Sequence, residues 1–128
     1  MSLRLERRQY EPMENPRSNH PSRITVMTTA ATLDARLRFA IQQRRLIQFT
    51  YQRAQRIAEP HDYGVSRDRI RLLAFQVRGQ SKSSLPDWRM FDVARMERLV
   101  VLDETFRGSR GRSGQSHTQW DLLFCRVE

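Results

Sequence analysis

The stretch RIRLLAFQVRG, residues 69–79, sets guanidinium groups beside side chains of core type. Arginine offers planar, permanently charged donors that match phosphate and carboxylate oxygens, so the chemistry on offer is anion binding. Read as a strand, the segment alternates faces. Arg69 and Arg71 then share one face with Leu73, Phe75 and Val77, while Ile70, Leu72, Ala74 and Gln76 share the other. An unpaired buried guanidinium is too costly. The expectation is therefore that the arginines lie at a water-facing rim, with Leu73, Phe75 and Val77 deeper. Tyr51, Tyr63 and Trp88 could supply stacking faces for bases. His61, directly after Pro60, is a candidate anion contact or pH-sensitive group, with turn capping as its alternative.

Other chemistries find less support. The histidines stand at 20, 61 and 117 and the single cysteine at 125, with no metal-ligand spacing among them; neither metal nor cofactor is expected. Cys125 sits in the apolar segment WDLLFCRVE and reads as a buried structural thiol. Ser81, Ser83 and Ser84 lack a Gly-x-Ser-x-Gly elbow. Asp103 and Glu104, adjacent after a strand, point apart. No nucleophile and base converge, and an enzyme is not expected. Residues 107–117, RGSRGRSGQSH, interleave glycine with arginine but lack Gly-Lys-Ser/Thr and a following helix. They read as a flexible basic loop that gathers polyanions without specificity.

The 128 residues suit one domain, and 23 basic against 14 acidic residues leave a net charge of +9. Such an excess points to a polyanionic partner such as nucleic acid or a small anionic ligand. Lys82 is the only lysine, which a genome rich in arginine codons would also produce; that bias does not account for the net charge. No apolar run reaches the length of a membrane span. The N-terminus has no apolar centre of a secretory signal. With one cysteine, the expected location is the cytoplasm.

These side chains need a scaffold. Residues 1–26, with prolines at 12, 16 and 21, read as a disordered tail, and residues 27–128 as the folded domain, with Met27 a second candidate start. Thr32 can cap a helix whose stripe is Leu33, Leu37, Ala40 and Ile41, ending near Arg44–Arg45. From residue 46 the period becomes two. Strands are expected at 46–51, at 56–59 stopped by Pro60, at 69–78, at 88–93, at 98–102 and at 120–127, with a turn at 61–64 and a corner at Ala94–Arg95. One helix ahead of short consecutive strands predicts a mainly β fold, a small Sm-like (Src-homology-3-like) antiparallel barrel.

From about residue 31 to 106 the sequence resembles the WYL domain, a bacterial Sm-like barrel module. LDARLRFAIQQRR leading into LIQFTY, then RIAEPHDYGV, IRLLAFQVRG and WRMFDVARMERLVVLDETF match its segments in order. The name-giving triplet is here Ile70-Arg71-Leu72, retaining only leucine. Phe91 and Arg95 match a later motif, in which Asp92 replaces the usual arginine and Ala94 the usual aspartate. The resemblance implies a regulatory module that senses a ligand, in some cases single-stranded nucleic acid, through a basic pocket. The family usually follows a DNA-binding domain. A tail too short for one makes a stand-alone sensor the expectation. The expected phosphate contacts are Arg71, at the family's tyrosine position, Arg89, and Arg95, which keeps the family residue. The alternative is that these arginines pair with Glu59, Asp92, Glu97 or Asp103. A second reading is a protein-interaction or homo-oligomerising module that uses exposed strand edges, the strand at 120–127 above all.

Overall fold

The computed structural model describes residues 22–81, 84–111 and 119–128, with side chains from residue 32 onward. The chain divides into two units, Met1–Thr32 and Leu33–Glu128, and the fold below is that of the second. Helix α1 is Ser22–Gln42. It begins ten residues before Thr32, which is an interior residue and not the cap. The reason is local: Pro21 immediately precedes α1, and no proline or glycine follows until Pro60. The tail expected over 1–26 thus falls largely outside the described residues, and Ser22–Val26 belong to α1.

Six strands follow: β1 Arg45–Tyr51, β2 Ala54–Ser66, β3 Arg69–Gly79, β4 Asp87–Asp92, β5 Glu97–Thr105 and β6 Leu122–Arg126. All ladders are antiparallel, in the order β4-β3-β2-β1-β5, with β6 on β2. The protein is mainly β with one N-terminal helix. Among the described residues the sheet does not close into a barrel, because no ladder joins β4 to β5. The sheet nonetheless curls. Five flat strands would hold its end strands about 19 Å apart, yet only the 3-10 turn Val93–Arg95 and Met96 connect β4 to β5.

β2 runs through Pro60 and Gly64, where a turn was expected. On one side β2 pairs with β1 up to Ala58 and with β6 from Asp62. Pro60 sits in the gap between the two partners, where its missing N–H costs no ladder bond. Gly64 is needed for the close approach of β6, because the Leu122 carbonyl oxygen occupies the space a Cβ would take. The two-residue hairpin turns Gln52-Arg53 and Arg67-Asp68 both hold left-handed backbones, φ 52° and 65°, then 54° and 63°. That is the mirror-type turn that suits strand twist, made here without glycine.

The core joins Leu37, Ala40 and Ile41 of α1 to Ile47, Phe49, Tyr51, Ala58, Tyr63, Leu72, Ala74, Phe91 and Leu99 of the sheet. Phe91 lies edge-on to both Phe49 and Tyr51, at 4.8 Å each. Asp34 ties α1 down: the Tyr63 hydroxyl donates to it at 2.6 Å, and Arg38 Nε donates to both its oxygens. Among the described residues no helix is long and apolar enough to cross a membrane.

Candidate anion-binding site

β3 answers which face of the arginine-bearing strand looks inward. Leu72, Ala74 and Gln76 are fully buried on the core side, while Phe75 and Val77 are half-buried on the other. Within the arginine-bearing row Leu73 is buried below the exposed Arg69, as expected, while Phe75 and Val77 stay half-buried and the row of Leu72 is the core one. β3 has cover on both sides, and the cluster around Phe49 and Phe91 claims the Leu72 row through the pair Leu72–Phe91.

Where that inner face opens to water lies a groove of about 800 Å³, within the ~300–1,000 Å³ typical of ligand sites. It is lined by Tyr51, Gln52, Arg53, Ala54, Arg56, Gln80, Ser81, Arg89, Met90 and Phe91: three arginines and no carboxylate. Alternation carries Arg56 onto the face of Ala58, opposite Phe49. Its guanidinium lies 5.8 Å from the Tyr51 ring centre and 5.9 Å from that of Phe91. It donates only to neutral acceptors, the Gln76 side-chain oxygen and the Tyr51 carbonyl, both at 3.3 Å. Gln76 is itself fixed, its amide nitrogen donating to the carbonyls of Arg78 and Gln80. Arg56 Nε is buried without a partner, and no carboxylate pairs with Arg56 among the described residues. Burial first, and the nearby Arg89 charge second, push its pKa down. Arg89 reaches Ser81 Oγ at 2.7 Å and the exposed Asp87 at 3.1 Å. An arriving anion would relieve both the desolvation and the mutual repulsion.

The structure divides the residues singled out by sequence between two faces. Arg89 and Tyr51 line the groove. Arg71 is on the opposite face, in register with Asp92 and 3.1 Å from its carboxylate, which Arg69 also meets at 2.8 Å. Arg71 therefore has the pairing that stood as the alternative. Two of the positions that depart from the family pattern, Arg71 and Asp92, pair with each other. Arg95 is exposed on the 3-10 turn and does not line the groove. Trp88 pairs with Phe75 on the outer face, and Tyr63 is core. Arg56 and Arg53 escaped the sequence reading. Applying the two-residue period to Ala54, Arg56 and Ala58 would have found Arg56.

His61 is fully buried within β2, not in a turn. Its ring packs 4.8 Å from Trp88 and 5.4 Å from Phe106. Nε2 faces Glu59 at 3.3 Å, and Nδ1 is buried without a partner. Burial lowers its pKa, against the opposing pull of Glu59. Arg110 caps this outer cluster with two bonds to Glu59, 2.7 and 2.9 Å, its guanidinium lying 3.9 Å from the Phe75 ring centre. Asp62, also fully buried, takes two bonds of 3.0 Å from Arg126. The Cys125 thiol is partly buried, which raises its pKa. Among the described residues no cluster could hold a metal ion.

The family model of the WYL domain matches residues 33–101, over half of the chain. The protein belongs to the WYL domain family, a regulatory family of ligand- and nucleic-acid-binding type. No curated protein and no solved structure matches the chain.

Proposed function

We propose that the chain is a regulatory binding module, without catalysis and acting in the cytoplasm, that takes single-stranded nucleic acid or a nucleotide-like anion in the Arg53–Arg56–Arg89 groove. One observation carries this reading: Arg56 is half-buried on aromatic rings, beside a second arginine, with neutral acceptors alone. A cation held that way costs stability that an anionic ligand returns. The net charge of +9 would add long-range attraction. The test is fluorescence anisotropy with single-stranded DNA, RNA and duplex DNA over a salt series, for wild type and the Arg56→Gln, Arg89→Gln double variant. Strand-selective binding that the variant loses is expected. Weak binding, equal in both and gone near physiological salt, would sink the site and leave only a generic polyanion attraction.

A second reading has its own observation. β6 pairs only with β2 among the described residues, and Leu122 (57%) and Leu123 (37%) on it are exposed. A strand edge of this kind can pair between chains. Removing 118–128 would not test it cleanly, because Val127 is core and Arg126 holds Asp62. Leu122→Glu should abolish self-association in light scattering if the edge is an interface. An unchanged oligomeric state in that variant would rule the edge out.

A further inference from the structure

We propose that the groove recognises a phosphate group of its ligand and leaves the bases unread, an inference that rests on the anion-binding reading above. The aromatic rings at the groove have no open face. Tyr51 is 8% exposed and Phe91 1%. The Tyr51 ring meets Phe91 edge-on and carries the Arg56 guanidinium, while its hydroxyl accepts the Asp92 N–H at 3.0 Å. Trp88, the other candidate stacking residue of the sheet's open side, is turned to the outer face against His61 and Phe75. Base recognition without sequence preference needs exposed rings on which bases lie, and the groove offers none.

What it offers is donors. Arg56 and Arg89 come from β2 and β4, two strands separated by β3, so they approach from different directions. An anion with oxygens in more than one plane, as in a phosphate, can engage both; a planar carboxylate suits a single fork. Gln80 accepts the Gln55 N–H on its side-chain oxygen at 3.2 Å, which commits the acceptor end and leaves the NH2 end to donate. Arg53 stands on the lip, in the Gln52–Arg53 turn. Contacts of this kind position a phosphate and carry no base information.

The phosphate could belong to a nucleic-acid backbone or to a small phosphorylated compound, and the experiment separates these. Labelled dT12, a labelled twelve-unit abasic phosphodiester and ribose 5-phosphate are titrated into wild type, Arg56→Gln and Arg56→Lys, with thermal melts to establish that each variant folds. The expected result is abasic binding within about threefold of dT12, both weakened at least tenfold by Arg56→Gln and partly restored by Arg56→Lys. Ribose 5-phosphate binding lost in Arg56→Gln, without oligomer binding, would equally support phosphate recognition and assign the small-molecule source. Binding of dT12 that needs Arg56 but falls tenfold or more in the abasic oligomer would overturn base-blind recognition while keeping the anion site. If no probe binds, or binding ignores Arg56, the anion-binding reading fails, and this inference with it.

Discussion

The arginines of the outer face and Arg56 of the inner groove are held in opposite ways, with the groove's Arg89, paired to the exposed Asp87, between the two. On the outer face cations meet carboxylates: Arg110 with Glu59, Arg71 and Arg69 with Asp92, Arg78 with Glu104. Among the described residues Arg56 of the inner groove meets only an amide oxygen, a carbonyl and rings, and the charge of Arg89 acts against its own. A paired guanidinium fixes structure, because its charge is already satisfied. An unpaired one in a groove still carries unsatisfied charge, which is why the proposed function places the anion there. Arginine content therefore does not single out one region; the proposed site rests on a groove whose lining residues include three arginines and no carboxylate.

The sharpest break of this contrast is Arg56→Gln. It should weaken anion binding by about tenfold to a hundredfold, since a charge-assisted hydrogen bond is worth about 1.5–3 kcal/mol. Thermal melting should show no loss of stability, because an uncompensated cation has gone. Glu59→Gln is the outer-face counterpart. It strips the carboxylate from Arg110 and from the buried His61, and should cost about 2 kcal/mol, a value moderated because Arg110 is partly exposed, with anion binding unchanged. Denaturant unfolding and anisotropy on the two variants should thus give opposite patterns. Shared loss of both properties would dissolve the distinction between the faces.

Smaller effects sharpen it further. Tyr63→Phe removes the 2.6 Å bond to Asp34 and should cost about 1 kcal/mol in urea unfolding, leaving the groove intact. Acidification probes His61, which faces Glu59, Asp62 and Arg110 and whose folded pKa lies below its ordinary value because of burial. Below a pH of about 6.5 the unfolded chain takes up this proton before the folded one does. Stability should fall as pH drops through that window, and the fall should flatten in His61→Gln. Glu104→Gln, which breaks the exposed pair with Arg78, should leave the melting temperature unchanged.

The strand set was legible because alternation marks half-buried strands. β1, β3 and β4 fall within a residue or so of their expected bounds. β2 was cut short at Pro60, since a proline stops a strand only where its N–H is required, and that depends on which strand lies beside it. The start of α1 was misplaced because a good cap at Thr32 does not end a helix that nothing upstream interrupts. Of the residues singled out by sequence, Arg89 and Tyr51 line the proposed groove, while Arg71, Trp88 and His61 lie on the other face.

By itself the sequence determined a mainly β chain with one helix, a WYL domain and a strong positive charge, because periodicity, segment order and composition are local properties that add along the chain. Tertiary structure alone decided which face of β3 is core, that Arg71 pairs with Asp92, and that Arg56 meets no carboxylate among the described residues. Those outcomes depend on cross-strand register and on the curl of the sheet. Pairing is a matter of a few ångströms between residues far apart in sequence, and Coulomb and desolvation energies are fixed at that distance.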